Sequence, residues 1–285
     1  MNSQKSDVLE ETESNKHLPW WLPNIDHRIT PDVRHVLETY SKIAPEKVTS
    51  LVYAIREQAW ALRCWPCTGL GFFLAPMLPH LPNYSSILST LKAGGTLIDV
   101  GCYLGTDLRR LFLDGCPDSN LFGVDIVDHW QLGRDLFRDK EKFHAQFVKA
   151  DILTLEGEIT SLKGKADVVS ATHFLHNWNW ATQIRACCNL VALTKPQPGS
   201  LIVGFQVGTK DPEKAKWEEE VEGKYTLHTP QTFEAMWVEI EKETGTRWKV
   251  EAMLREWEEF GQRKEETGWL GEDAAILQFV VTRVA

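Results

Sequence analysis

"LIDVGCYLGTDLRRLFL", Leu97 to Leu113, sets an apolar run, a turn bounded by Gly101 and Gly105, and an amphipathic segment end to end. A buried strand that feeds a helix through such a turn brings backbone close to a ligand, because glycine has no Cβ to hold the ligand away. Three ligand classes use turns of this kind: a dinucleotide, a nucleoside triphosphate and S-adenosylmethionine. "GCYLGT" lacks the G-x-G-x-x-G spacing of the dinucleotide turn, and no Gly-Lys-Ser/Thr follows to cradle a triphosphate.

The nearest pattern is acidic-x-G-x-G-x-G, which serves adenosylmethionine. Asp99, Gly101 and Gly105 supply it, and Tyr103 stands where its middle glycine is expected. In this reading Gly101 admits the amino-acid half of the cofactor and Gly105 lets the next helix pack closely. Thr106 is the expected N-cap, with Leu104, Leu108, Leu111 and Phe112 as the buried face.

The following strands add two more acids. "LFGVDIVDHW" places Asp125 about 20 residues beyond the turn, at a strand end where a carboxylate accepts both ribose hydroxyls. Ile126 beside it is suited to cover an adenine face. A nicotinamide-dependent dehydrogenase would use the same acid, so Asp125 does not separate the two classes. "VKADILTLE" does: Asp151 is placed to accept from the adenine amino group, and the Ile152 N–H to serve a ring nitrogen. Dehydrogenases do not need an acid there.

Short apolar runs alternate with helix-length segments from Gly95 onward, which implies crossover units and a mainly parallel sheet with helices on both faces. "RWKVEAML" and "AILQFVVTRV" follow one another without a crossover helix, so the last two strands are expected to be antiparallel. The fold class is α/β, Rossmann-like, with seven strands and a reversed last strand. Before it, residues 31–94 form a helical extension, in which Leu51, Ile55, Ala59 and Leu62 define a buried face of one helix. Residues 1–30 are expected to be an acidic tail and lead-in. Residues 95–285 carry the catalytic domain, with an acidic lid-like insertion at about 209–235.

The fourth strand leads into "ATHFLHNWNW", where an acceptor would lie. His173 and His176 are candidates to orient it, and Trp178, Trp180, Trp65 and Phe73 to wall its cavity. For the aromatics, including Trp20, Trp21, Trp60 and Phe72, the alternative is that they pack helices against the sheet. Cys64 and Cys67 have the spacing of redox and zinc sites, but they close a helix rather than open one, and no second ligand pair is spaced to match. A structural role is expected, and no metal.

Composition sets the outer limits. With 40 acidic and 31 basic residues the net charge is −9, which disfavours a broad nucleic-acid surface. The longest apolar stretch, Cys67 to Leu81, is interrupted by Pro76 and Pro79 and is too short for a membrane span of ~20 residues. The polar start lacks a secretory core, so a cytoplasmic protein that binds a small molecule is expected.

"RCWPCTGLGFF", "LIDVGCYLGTDLRRL", "LFGVDI" with "DHWQLG", "ADIL" and "THFLHNW" in combination resemble the fungal methyltransferases of meroterpenoid biosynthesis. That family includes enzymes that esterify the carboxyl of farnesylated dimethylorsellinic acid intermediates. The resemblance implies a class I methyltransferase fold, S-adenosylmethionine as donor, a homodimer, and a hydrophobic carboxylic acid as acceptor. It also implies cofactor contacts at Val124 with Asp125, and at Asp151 with Ile152 and Leu153. A carboxylate of ordinary pKa near ~4 is ionised at neutral pH and needs no general base, so the lack of an obvious catalytic dyad fits. Two other readings stay open at this stage: an NAD(P)-dependent oxidoreductase, and a methyltransferase-like binding protein without turnover.

Overall fold

A computed structural model describes residues 15–215 and 225–285. Seven strands form one sheet: β1 (Leu97–Val100), β2 (Leu121–Asp125), β3 (Gln146–Lys149), β4 (Val168–Ser170), β5 (Leu201–Thr209), β6 (Trp248–Arg255) and β7 (Ala274–Arg283). Their spatial order is β3-β2-β1-β4-β5-β7-β6. β1 to β5 run parallel, and β7 lies antiparallel to both β5 and β6. The strand order turns at β1 and β4, so their C-terminal tips open the crevice in which open α/β sheets hold ligands.

Seven helices of eight or more residues are described: α1 (Pro31–Thr39), α2 (Val48–Leu62), α3 (Tyr84–Lys92), α4 (Thr106–Leu113), α5 (Trp130–Phe137), α6 (Trp180–Leu193) and α7 (Pro230–Thr244). Pro31 and Pro230 occupy first-turn positions, where the missing N–H is an orphan in any case. Thr30 and Asn179 accept from the third helical N–H of α1 and α6. One sheet face packs on α6 and α7 through Leu190, Phe233 and Trp237, and the other on α3 and α4 through Ile87, Leu91, Leu108 and Leu111.

A third core lies under the N-terminal extension. Ile25, Leu37, Ile43, Val52 and Ile55 pack there with Leu104 of the glycine turn and with Leu132, Leu136 and Phe137 of α5. The extension is therefore built onto the turn. Its packing starts before the expected boundary at residue 31: Ile25 is fully buried, and Arg28 donates to Leu70 O (3.2 Å) and Gly261 O (2.7 Å) and pairs with Glu266. Residues 1–14 of the expected tail, and the acidic centre of the expected insertion at 216–224, lie outside the described residues. On either side of that centre, β5 runs to Thr209 and α7 begins at Pro230.

Two local expectations are corrected. The buried stripe of α2 is Val48, Val52, Ile55 and Ala59, flanked by Arg56 and Trp60, whereas Leu62 is 52% exposed. The helix carries two apolar stripes, and the one facing the rest of the extension and α5 is buried. Gly105, not Thr106, caps α4: its φ of 71° starts the helix, and the Thr106 hydroxyl donates to Phe73 O (2.7 Å), tying the helix to the extension. Leu104, Leu108 and Leu111 are buried as expected, with Phe112 half-buried.

Candidate active site

The turn after β1 is held from below. Gly101 and Cys102 donate to Val124 O at 2.8 and 3.2 Å, so that carbonyl anchors the turn, while the Val124 side chain is buried in the core. Gly101 has φ 78°, and a Cβ there would stand 2.6 Å from the Phe174 ring. At Gly105 a Cβ would stand 2.6 Å from Trp130. Between them Tyr103 has φ 51°, so the backbone keeps the left-handed bend at the position where the motif has glycine. A side chain in that region costs on the order of 1 kcal/mol. Tyr103 offsets this with its contacts: its hydroxyl bonds Thr68 Oγ1 at 2.6 Å, and its ring lies 4.4 Å from His129.

Arg109, which the sequence motif does not flag, locks the same turn. It is 1% exposed, donates from Nη1 to Leu104 O (2.6 Å) and Gly105 O (3.3 Å), and makes a two-pronged pair with Asp139 at 2.6 and 3.1 Å. Trp130, Phe137 and Phe143 surround its guanidinium. The planar fork suits this paired burial, in which either partner alone would be an uncompensated charge.

The three acids stand where the sequence places them. Asp99, in β1, is buried and accepts from Ser170 Oγ at 2.6 Å. Burial, with the nearby Asp107 charge, pushes its carboxyl up to about 8. Asp125, at the tip of β2, accepts from Tyr103 N and Val127 N, both at 3.0 Å, one on each oxygen. Burial raises its pKa, opposed by those N–H bonds. Asp151 follows the tip of β3, and its Oδ1 accepts from Leu153 N at 2.8 Å. Because Asp125 pairs in register with Lys149, the two acids lie on neighbouring strand ends.

These residues fit S-adenosylmethionine. A carboxylate accepts about four hydrogen bonds, so Asp125 keeps lone pairs for a diol after its two backbone bonds. Ile126 is 56% exposed directly beside it, available to cover a flat base. Among the described residues nothing accepts from the Ile152 N–H, while the Ile152 carbonyl is tied to Asn189 at 2.7 Å and its side chain is buried. Leu153 is partly buried against the same core.

The segment after β4 differs. Beyond β4 the chain stays on β5: Ala171 N donates to Val203 O at 2.9 Å, and His173 N donates to Phe205 O. Val207 N then donates to His176 Nδ1 at 3.4 Å, which leaves the neutral ring's proton on Nε2. His173, at φ 51°, lies edge-on to His176 with centroids 6.3 Å apart, and its Nε2 is buried without a partner. Burial pushes His173 down to about 4 and His176 to about 3, so both are neutral at pH 7. Phe174, against Gly101, places this segment directly beside the glycine turn.

The aromatic candidates divide. Trp178 is half-buried at the site, edge-on to Phe174 at 4.9 Å. Trp180 belongs to the core: it is 8% exposed, and its indole donates to Glu239 at 3.2 Å. Phe73 is also a core residue, packed edge-on to Tyr103, and Trp65 caps a short helix under Arg63. Burial drives the Cys67 thiol up to about 12, which makes it inert. Among the described residues no group of three or more His, Cys, Asp or Glu is placed to hold a metal.

A family model described as "Meroterpenoid methyltransferase N-terminal domain" matches residues 20–74, the extension that packs on the glycine turn. "O-methyltransferase atr3" of Stereocaulon alpinum is 36% identical over 278 residues, covering 96% of this chain and 79% of the relative. The chain belongs to this family of fungal methyltransferases. "O-methyltransferase phiE" of a fungal species is 34% identical, covering 92% of this chain and 87% of its own. "Asnovolin E/Chermesin D methyltransferase nvfJ" of Aspergillus novofumigatus is 30% identical, covering 90% of each. The methyltransferase takes its methyl group from S-adenosylmethionine and acts in fungal secondary metabolism, which sets aside the oxidoreductase and non-catalytic readings.

Proposed function

We propose that the methyltransferase forms a methyl ester on the carboxyl of a prenylated, polyketide-derived acid. The observation that carries this reading is the setting of the two histidines beside the glycine turn: Val207 N occupies His176 Nδ1, and burial lowers both rings well below 6.5. A phenol, with a pKa near ~10, needs a base poised much nearer to neutrality. A carboxylate arrives ionised and needs only to be aligned and kept dry. The bound donor supplies a sulfonium methyl, which the acceptor oxygen takes by in-line displacement. The chain's part is positioning, which alone contributes ~7–11 kcal/mol in well-oriented reactions. Asp125, Ile126 and Asp151 with the Ile152 N–H hold the nucleoside, the Gly101 turn admits the amino-acid half, and His173 and His176 orient the acceptor.

Incubation with methyl-labelled donor and a panel of prenylated acids tests this. The expected product releases its label under mild alkali. A product stable to alkali is an ether and overturns the ester. The rate is expected to rise with the acceptor's own ionisation and to show no limb near pH 6.5. The same reading includes a homodimer in the cytosol, checked by light scattering and by fractionation; no helix among the described residues is long and apolar enough to cross a membrane.

A further inference from the structure

Buried polar atoms in folded proteins are almost always hydrogen-bonded, so a cluster that is not marks a place completed by something else. Four such atoms lie just past the tip of β4 and on the neighbouring β5: Thr172 Oγ1, His173 Nε2, and both Nε2 and Oε1 of Gln206. Gln206 is 0% exposed and lies in β5. Its two chain neighbours make the contacts that fix the histidines: Phe205 O accepts from His173 N, and Val207 N donates to His176 Nδ1. Val203 pairs with Ser170, the last residue of β4, so Gln206 stands three residues, roughly 10 Å, beyond that tip. It is level with the 171–178 segment that adjoins the donor turn.

We propose that Gln206 orients and selects the acceptor, pairing with an acid that carries a hydroxyl or N–H next to its carboxyl. This rests on the carboxylate reading above. A primary amide offers a donor and an acceptor side by side. Its Nε2 donates to the carboxylate oxygen that is not methylated, which leaves the other oxygen turned toward the donor. A carboxylate has no hydrogen to give, so Oε1 is satisfied only when the acid itself brings a donor nearby. A plain acid leaves that oxygen buried and unpaired, and is selected against. Gln206 is thus a positioning and specificity residue.

The test compares a 2-hydroxybenzoic acid bearing a long alkyl chain with its 2-methoxy counterpart and with the same acid lacking the hydroxyl. The wild-type enzyme is expected to favour the hydroxy acid by about 10–100-fold in kcat/KM. Gln206→Leu is expected to lose that preference and a similar factor in rate on the hydroxy acid. Its affinity for S-adenosylhomocysteine by calorimetry should stay within about twofold, and its urea midpoint should not fall, because an unpaired buried amide has been removed. Gln206→Met serves if the leucine variant misfolds. Equal use of the three acids by the wild type, or retention of rate and preference by the variants, overturns this inference and leaves the ester reading intact. Methylation of no acid overturns both.

Discussion

The two regions that make up the proposed site, the tips of β1 to β3 and the stretch from the end of β4 along β5, hold their outward polar side chains differently. At the tips of β1 to β3 the three carboxylates take bonds from the chain itself: Asp125 two backbone N–H bonds, Asp151 one, and Asp99 a serine hydroxyl, while behind the glycine turn the His129 ring nitrogens and Trp130 Nε1 are buried without partners. At the end of β4 and along β5, Thr172, His173 and Gln206 leave buried atoms without partners. In the first region the acids are held in place by the chain itself. The second is completed by the acceptor. A pocket for one invariant cofactor gains from rigidity, whereas a pocket whose substrate supplies the missing bonds rejects molecules that cannot supply them.

If the donor half is rigid because Arg109 holds the turn, breaking that lock gives the largest loss of donor binding. Arg109→Met strands Asp139 as a buried charge and is expected to cost ~3–5 kcal/mol in urea unfolding, with loss of donor binding in calorimetry. Next comes Asp125→Ala, which removes the diol acceptor and the acceptor for Tyr103 N. Donor affinity should fall about 10–100-fold, with a smaller change in stability; unchanged affinity would remove Asp125 from the donor site.

Acid sharpens the contrast from the other side. His129, His173 and His228 lie at about 4 and His176 at about 3, all below the ordinary 6.5. Between those values the unfolded chain binds protons that the folded one refuses. The histidines' contribution to stability is therefore full above pH 6.5 and falls as pH drops toward 4, by on the order of 1 kcal/mol per pH unit for each histidine. Asp99 works in the opposite direction. Its carboxyl is raised to about 8, so it costs stability progressively as pH climbs from 4 to 8. Asp99→Asn, which keeps an acceptor for Ser170, should gain on the wild type across that window and be indistinguishable at pH 4. Thermal melting at several pH values measures this difference.

The same contrast explains what the sequence discloses. Glycines at a turn and acids at strand ends are local patterns, and Asp99, Gly101, Gly105, Asp125 and Asp151 were all readable because backbone geometry ties each to its place. The antiparallel ending of the sheet was legible for the same reason. Gln206 was not, since one glutamine in an apolar strand has no motif, and only the pairing of β4 with β5 shows that it lies beyond the β4 tip. Arg109 has the look of a surface residue in "TDLRRL" until Asp139 is seen against it. Trp180 misled because "HNWNW" does not say which indole faces the site and which meets Glu239 on α7. The stripe on α2 failed where two apolar faces competed and a tertiary partner decided.

Tyr103 gives the N-terminal extension a role that its position in the chain conceals. Its backbone shapes the glycine turn and its hydroxyl is fastened to Thr68, so the bend proposed to admit the donor's amino-acid half is shared between two modules. Restoring glycine there would relax the backbone and cut the fastening in one stroke. An enzyme trimmed back to its sheet would forfeit its grip on the methyl donor, not merely its choice of acid.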